Sequence, residues 1–320
     1  MDNILRIGTR GSRLALIQTG GVAGRLRAAH PDLEVRIETF RTAGDRDRAT
    51  PLARLPGIGF FVKDLEAALL DDRIDLAVHS LKDVPTKVPD GLEVGAAVPE
   101  REDPRDGLIT PQGLRLEDLP QGATVGSSSP RRRAMLLAAR PDLKFIDLRG
   151  NVETRLRKLG EGVCHATVLA RAGLARMGLL DRRMVVLEPE ILMPPAGQGA
   201  LGLEFRASDD RVRRLLAPLD HPPTRWAVTA ERALVARLGA GCRTPLGVLG
   251  RVGPDGRLAL EAYLVSPDGR DGIRRRADPY GPVLGGGAAE APRLGTALAE
   301  TLLEGGAGRF IRPDSEGDDA

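Results

Sequence analysis

The sequence predicts an α/β protein built of two similar units in series, followed by a smaller α+β unit. Three observations predict it. Strand-like and helix-like segments alternate through the first hundred residues, the same alternation restarts after residue 120, and a chain of 320 residues is too long for a single hydrophobic core.

In the first unit, Ile4 to Gly8 reads as a short apolar strand, followed by the turn Thr9-Arg10-Gly11-Ser12 and a helix from about Arg13. Glu34 to Phe40 alternates as a strand, Phe60 to Leu70 has the spacing of an amphipathic helix, and Ile74 to His79 and Leu92 to Val98 read as strands. Pro99 to Pro120 is rich in proline and charge, interrupts the pattern and marks a boundary. The second unit places strands at Ala123 to Gly126, Lys144 to Leu148 and Ala166 to Ala170, with helices at Pro130 to Ala139 and Val152 to Leu159. Met193-Pro194-Pro195-Ala196-Gly197-Gln198-Gly199 is a second loop, and the strand Leu201 to Phe205 after it returns to the first unit. Two crossings between two units imply a cleft with a hinge. The third unit has helices at Thr224 to Leu238 and Arg293 to Leu303 around strands at Leu246 to Val252 and Leu258 to Val265. The expected domains are therefore 1–99 with 200–217, 104–194 and 222–312, and 313–320 reads as a disordered acidic tail.

Composition removes several classes of function. With 42% hydrophobic and 28% charged residues the chain is globular, and it has no apolar stretch long enough to span a bilayer or to serve as a secretory leader. Cys164 and Cys242 have no Cys or His partner at metal-ligand spacing, so no metal site is expected and a reduced, cytoplasmic protein is the simplest reading. A net charge of +3 and 3% aromatic residues argue against a nucleic-acid binder acting through Arg131 to Arg133 or Arg274 to Arg276. The basic residues themselves are lopsided, five lysines against 42 arginines.

Three segments put small or hydroxyl residues and arginine together where a helix begins, and exposed N–H groups there favour anions. They are Thr9-Arg10-Gly11-Ser12, Ser127-Ser128-Ser129-Pro130-Arg131-Arg132, and Arg149-Gly150-Asn151 leading to Arg155. Any one of them is also explained by ordinary capping, with Ser129 or Asn151 as the cap and Pro130 at the first helical position. Three in one chain point to a polyanionic ligand, whose carboxylates or phosphates a guanidinium fork matches equally well. Val78-His79-Ser80-Leu81-Lys82-Asp83-Val84-Pro85 follows a buried strand, where α/β sheets present ligand groups, and makes Asp83 the candidate acid. Gly239-Ala240-Gly241-Cys242-Arg243 presents a thiol in a glycine-flanked loop and suits a nucleophile or attachment point, whereas Cys164 sits in an apolar run and reads as core.

These residues also carry a resemblance. The stretches Arg6-Ile7-Gly8-Thr9-Arg10-Gly11-Ser12, Ala77 to Pro85, Glu100-Arg101-Glu102-Asp103-Pro104-Arg105-Asp106, Leu148-Arg149-Gly150-Asn151-Val152, Pro195-Ala196-Gly197-Gln198-Gly199, Glu231-Arg232-Ala233-Leu234 and Gly241-Cys242 resemble, in order, those of the porphobilinogen deaminase family. The resemblance implies three domains. The first two are like the lobes of type II periplasmic binding proteins with mixed five-stranded sheets, and the third is a small α+β domain with an antiparallel sheet and helices on one face. It further implies a dipyrromethane cofactor joined to Cys242 as a thioether. On it four molecules of porphobilinogen condense with loss of ammonia, before hydrolysis releases hydroxymethylbilane for tetrapyrrole biosynthesis. Asp83 would contact the pyrrole N–H groups and stabilise the cation formed as ammonia leaves. Carboxylates would be held by Arg10, Ser12, Ser80, Lys82, Ser127, Ser128, Ser129, Arg131, Arg132, Arg149, Gly150, Asn151, Arg155 and Arg176, with Arg54, Gln18 and Gln198 as further contacts. A monomer that hands its product to uroporphyrinogen-III synthase is implied as well. Where the family commonly has two lysines at the cleft mouth, this chain has Arg54 and Ile58, and Ile58 cannot bind a carboxylate. The rival reading is a non-catalytic solute-binding or sensor module on the same two-lobed scaffold, which has no need of a covalently loaded Cys242.

Overall fold

The computed structural model describes residues 3–40, 62–241, 243–280 and 287–311. The chain runs through β1 (Ile4–Arg10), α1 (Arg13–Ala29), β2 (Glu34–Phe40), α2 (Lys63–Leu70), β3 (Leu76–Ser80) and β4 (Leu92–Val94). It continues through β5 (Asp106–Ile109), β6 (Thr124–Gly126), α3 (Pro130–Ala139), β7 (Lys144–Ile146), α4 (Val152–Gly160), β8 (Ala166–Ala170), α5 (Arg171–Arg176) and β9 (Met184–Leu187). Then come β10 (Leu201–Arg206), α6 (Asp210–Leu216), α7 (Pro222–Leu238), β11 (Leu246–Val252), β12 (Leu258–Val265), β13 (Gly272–Tyr280) and α8 (Gly287–Glu304).

Two five-stranded sheets have the same plan. The first is ordered β2-β1-β3-β10-β4 and the second β7-β6-β8-β5-β9. In each, three strands are parallel and the fourth position is taken by a strand running against both neighbours, β10 between β3 and β4 and β5 between β8 and β9. Those two antiparallel strands lie just past the two crossovers, so each unit is closed by chain arriving from the other. This is the topology of two periplasmic-binding-type lobes. The first lobe's core joins Leu5, Ile7, Leu76 and Val78 to Leu203 and Phe205 of the returning strand, and α6 closes it with Val212 and Leu216.

The third unit is an antiparallel sheet, β11-β12-β13, covered by α7 and α8. Along β12, Leu258, Leu260, Ala262 and Leu264 alternate inward to its core, the period of two expected of a half-buried strand. The helices approach closely because residue 295 is glycine. A Cβ there would stand 2.2 Å from the Ala230 carbonyl oxygen. Leu249 and Val265 reach beyond this core into that of the second lobe, so the third unit is packed onto it.

A buried carboxylate ties the units at the crossovers. Glu231 of α7 is 0% exposed, and its Oε1 accepts from Arg101 Nη1 at 2.7 Å and the Gly250 amide at 2.8 Å. Its Oε2 accepts from the Gly197 amide at 2.7 Å and Arg101 Nη2 at 3.2 Å. Arg101 and Gly197 belong to opposite crossovers, so one side chain of the third unit grips both.

The passage Pro99 to Pro120, read as a boundary, contains β5, an interior strand of the second sheet. Its buried Asp106 and the following glycine break the apolar alternation that would have revealed it. The expected strand Leu92 to Val98 ends at Val94. The acidic tail and Phe60 and Phe61 of the expected second helix lie outside the described residues.

Candidate active site

Between the two lobes is an open cleft of about 1060 Å³. Parallel strands end at it, with Arg10 at the end of β1, Ser80 at the end of β3 and Ala170 at the end of β8 all on its wall. Among the described residues eight on its lining are basic, namely Arg10, Arg13, Lys82, Arg132, Arg149, Arg155, Lys158 and Arg176, against two acidic ones, Asp83 and Glu153. Glu153 lies 3.8 Å from Arg13 across the mouth. Asp83 stands on a short 3-10 turn, Leu81–Asp83, directly after β3.

That turn is held from three directions. Leu81 is sealed in an apolar cluster with Val84, Val98 and Val228. Arg232 of α7 donates to the carbonyl oxygens of Val84 at 2.9 Å and Pro85 at 2.6 Å, just past Asp83. Lys82 donates to Gln198 Oε1 at 3.1 Å. Lys82 is open to water in the cleft, yet protein on both sides removes enough solvent to push its ammonium down to about 8. Asp83 and Asp106 pull it up, and Arg132 and Arg131 pull it further down.

Three helices begin on the wall. Ser12 caps α1 by accepting from the Ala15 amide at 3.3 Å, Ser129 caps α3 by accepting from the Arg132 amide at 3.4 Å, and Asn151 caps α4 by accepting from the Thr154 amide at 2.9 Å. Gly150 has a φ of +120°, a conformation L side chains rarely adopt, and this turns the chain sharply between Arg149 and the cap. The Arg155 Nε donates back to the Gly150 carbonyl at 2.8 Å, and Arg176 Nη2 donates to the Gly199 carbonyl at 2.6 Å. Desolvation, with Arg132 and Arg149 nearby, pushes the Arg155 guanidinium down to about 10 against the pull of Asp83. Burial also lowers Arg176. Crowded cations of this kind stay charged at neutral pH and are relieved by an anionic ligand.

Of the residues expected to bind carboxylates, the cleft lining brings together Arg10, Ser12, Gln18, Ser80, Lys82, Arg132, Arg149, Gly150, Asn151, Arg155 and Arg176 around Asp83. Five others are not on it. Arg131 is buried, with Nη1 donating to the Met193 carbonyl at 2.5 Å and Nη2 to Asp106 at 2.7 Å. Ser127 is buried and accepts from the Ser129 amide at 3.3 Å, Ser129 is spent as a cap, and the Ser128 hydroxyl is sealed from solvent. Gln198 is 1% exposed and engaged with Lys82, Pro104 and Asp106. Cys242, Arg54 and Ile58 lie outside the described residues. Cys164 is a buried free thiol whose pKa is raised by burial, as an inert core cysteine should be.

Sequence reasoning missed Arg13 and Lys158 on the wall and Asp106, Arg101 and Arg232 behind it. Arg13 adjoins Ser12, and Lys158 follows Arg155 by one helical turn, so spacing carried that signal. Among the described residues no cluster of His, Cys, Asp or Glu could hold a metal ion, and no helix is long and apolar enough to cross a membrane.

The chain is similar to known proteins over almost all of its length. Residues 5–214 match the family described as porphobilinogen deaminase, dipyromethane cofactor binding domain, and residues 226–304 match the porphobilinogen deaminase C-terminal domain. The porphobilinogen deaminase of Desulforudis audaxviator is 51% identical over 306 residues, covering 95% of this chain and 96% of that protein. That of Thermus thermophilus is 48% identical over 308 residues, covering 96% and 98%, and that of Syntrophobacter fumaroxidans 46% over 310 residues, covering 97% of each. Among solved structures, the VFT2 domain of Bordetella pertussis BvgS aligns at 14% identity with a TM-score of 0.41, over 67% of this chain and 85% of that one. On the two family matches and the full-length relatives, this chain belongs to the porphobilinogen deaminase family.

Proposed function

We propose that the cleft is where this transferase assembles hydroxymethylbilane from four molecules of porphobilinogen, with Asp83 as the group that manages charge at the reacting ring. The observation that carries the proposal is the composition of the wall: among the described residues eight cations line it with two carboxylates, of which Glu153 is beside Arg13 and Asp83 has no ion-pair partner. Each porphobilinogen carries an acetate and a propionate, so a growing chain gains two negative charges per step and needs a cationic wall of this kind. The residues fit an acidic pyrrole cofactor as well. Arg132 Nε and Arg149 Nη1 are sealed from solvent with no hydrogen-bond partner among the described residues, and a carboxylate is the acceptor they lack.

Cys242 would hold the dipyrromethane, which when bound would supply a nucleophilic α-carbon. The protein's own part is binding and charge stabilisation. Arg10, Ser12, Arg132, Arg149, Arg155 and Arg176 bind and orient carboxylates, each charge-assisted bond contributing about 1.5–3 kcal/mol. Asp83 accepts hydrogen bonds from pyrrole N–H groups and offsets the positive charge that develops as ammonia departs, an electrostatic role for a preorganised carboxylate. Arg232 and Lys82 keep its turn in place. The domain limits 1–99 with 200–217, 104–194 and 222–312, a cytoplasmic location, a monomeric state and handover to uroporphyrinogen-III synthase form part of the same proposal.

Intact mass and turnover test it. The wild type should carry an added mass of two pyrrole units that Cys242→Ala lacks. Asp83→Asn should fold, keep that mass and turn over at least a hundredfold more slowly, in line with the loss of one charge-stabilising group. Full activity in Asp83→Asn would remove Asp83 from the reaction. A wild-type chain that carries no added mass and does not turn over porphobilinogen would favour the rival reading, a non-catalytic solute-binding or sensor module on the same two-lobed scaffold.

A further inference from the structure

Asp106 lies on β5 of the second lobe and is 0% exposed. Its Oδ2 accepts from Arg131 Nη2 at 2.7 Å, and its Oδ1 accepts from Arg132 Nη2 at 2.7 Å and from Gln198 Nε2 at 3.1 Å. The Gln198 amide also donates from Nε2 to the Pro104 carbonyl at 2.6 Å, which fixes its orientation, because a carbonyl can only accept. Its oxygen is therefore left to accept from Lys82 at 3.1 Å. A continuous polar path runs from Lys82 on the first lobe through Gln198 of the crossover to Asp106, Arg131 and Arg132 of the second.

The two arginines are used differently. Arg131 is absorbed, with one nitrogen on Asp106 and another on the Met193 carbonyl, and it does not line the cleft. Arg132 is pinned by Nη2 alone, lines the cleft, and keeps a buried Nε with no partner among the described residues. An interior strand position would ordinarily hold an apolar residue, and a buried carboxylate is tolerated only when paired. Here one anion faces two cations. The surplus positive charge is the one on Arg132, presented to the cleft.

We propose that Asp106 is a positioning residue for the established reaction: it aims the Arg132 guanidinium, and through Gln198 the Lys82 ammonium, at the carboxylates of the pyrrole chain. This rests on the reading of the cleft as the carboxylate site. The competing view is that Asp106 only neutralises buried charge. Asp106→Leu removes both functions, since it keeps no acceptor for Arg132, whereas Asp106→Leu combined with Arg131→Met restores the charge balance without restoring the anchor of Arg132. The measurements are the thermal midpoint, the fraction of chains carrying the dipyrrole by intact mass, and KM and kcat for porphobilinogen.

The proposal expects Asp106→Leu to lower the midpoint, reduce loading and raise KM about tenfold with a smaller change in kcat. The double variant should recover the midpoint while loading stays low and KM high. Recovery of KM and loading together with the midpoint would overturn it, as would a folded Asp106→Leu with wild-type values of both. If the single variant does not fold, the double variant decides alone on the same criteria. Arg132→Met serves as the control for the underlying reading: unchanged KM and loading there would mean that the cleft arginines do not hold the pyrrole carboxylates, whatever Asp106 does.

Discussion

Glu231 offers a test of how the three units are held together. Each of its oxygens receives one guanidinium N–H of Arg101 and one backbone N–H, from Gly250 on Oε1 and from Gly197 on Oε2. In Glu231→Gln the amide NH₂ must replace one of these oxygens. Either way a donor then faces two donors, and Arg101, whose side chain is 9% exposed, loses its counter-charge. Breaking a buried pair from one side costs about 3–5 kcal/mol. With an m value of about 3 kcal/mol/M in urea, the midpoint should fall by about 1–1.7 M if the chain unfolds as a unit. A urea titration followed by far-UV circular dichroism measures it. Arg101→Met added to Glu231→Gln should cost little more, since the partners share one interaction. A midpoint within about 0.3 M of wild type, or full additivity of the two substitutions, would show that the clamp does not hold the units.

Other substitutions separate packing from chemistry. Cys164→Ala, in the core beside Leu148 and Leu174, should cost about 1 kcal/mol in a denaturant titration and leave kcat and dipyrrole loading unchanged, and a loss of loading would contradict the assignment to Cys242. Gly295→Ala should destabilise the third unit by about 1–3 kcal/mol, because the methyl meets the Ala230 carbonyl oxygen, and a neutral melting midpoint would refute that contact. Lys82 gives a pH prediction. Its folded pKa of about 8 lies below its ordinary value, so the unfolded chain holds the extra proton between about pH 8 and 10.5. In that window this group makes stability rise with pH. If Lys82 binds carboxylate as proposed, that binding, which needs the ammonium, weakens over the same range. KM for porphobilinogen should climb above pH 8 in the wild type and stay flatter in Lys82→Arg, and identical pH profiles would exclude Lys82 from binding.

The elements legible in the sequence were those whose burial follows a local period. β2, α3, β8, β11 and β12 begin and end where alternation or capping residues place them, with Ser129 and Pro130 opening α3. β5 was hidden for a physical reason. Asp106 looks like a surface residue from its neighbours in sequence, and Arg131, Arg132 and Gln198, 25, 26 and 92 positions away, make its burial tolerable. β9 and α5 are four and six residues long, too short to establish a period.

The same distinction governs the site. Motif spacing could bring Arg10, Ser80, Asp83, Arg149 and Arg155 to strand ends and helix starts, because those positions follow from local chain direction. It could not tell a cation that faces the ligand from one that faces a buried acid. Arg131 and Arg132 are adjacent, share a helix start and share Asp106, yet one is consumed in the wall and the other reaches the cleft. That difference is set by residues on β5 and the second crossover, remote in sequence from both. Substituting Asp106 therefore should change what Arg132 does without touching any group that meets the substrate, whereas substituting Arg131 alone should act mainly through stability.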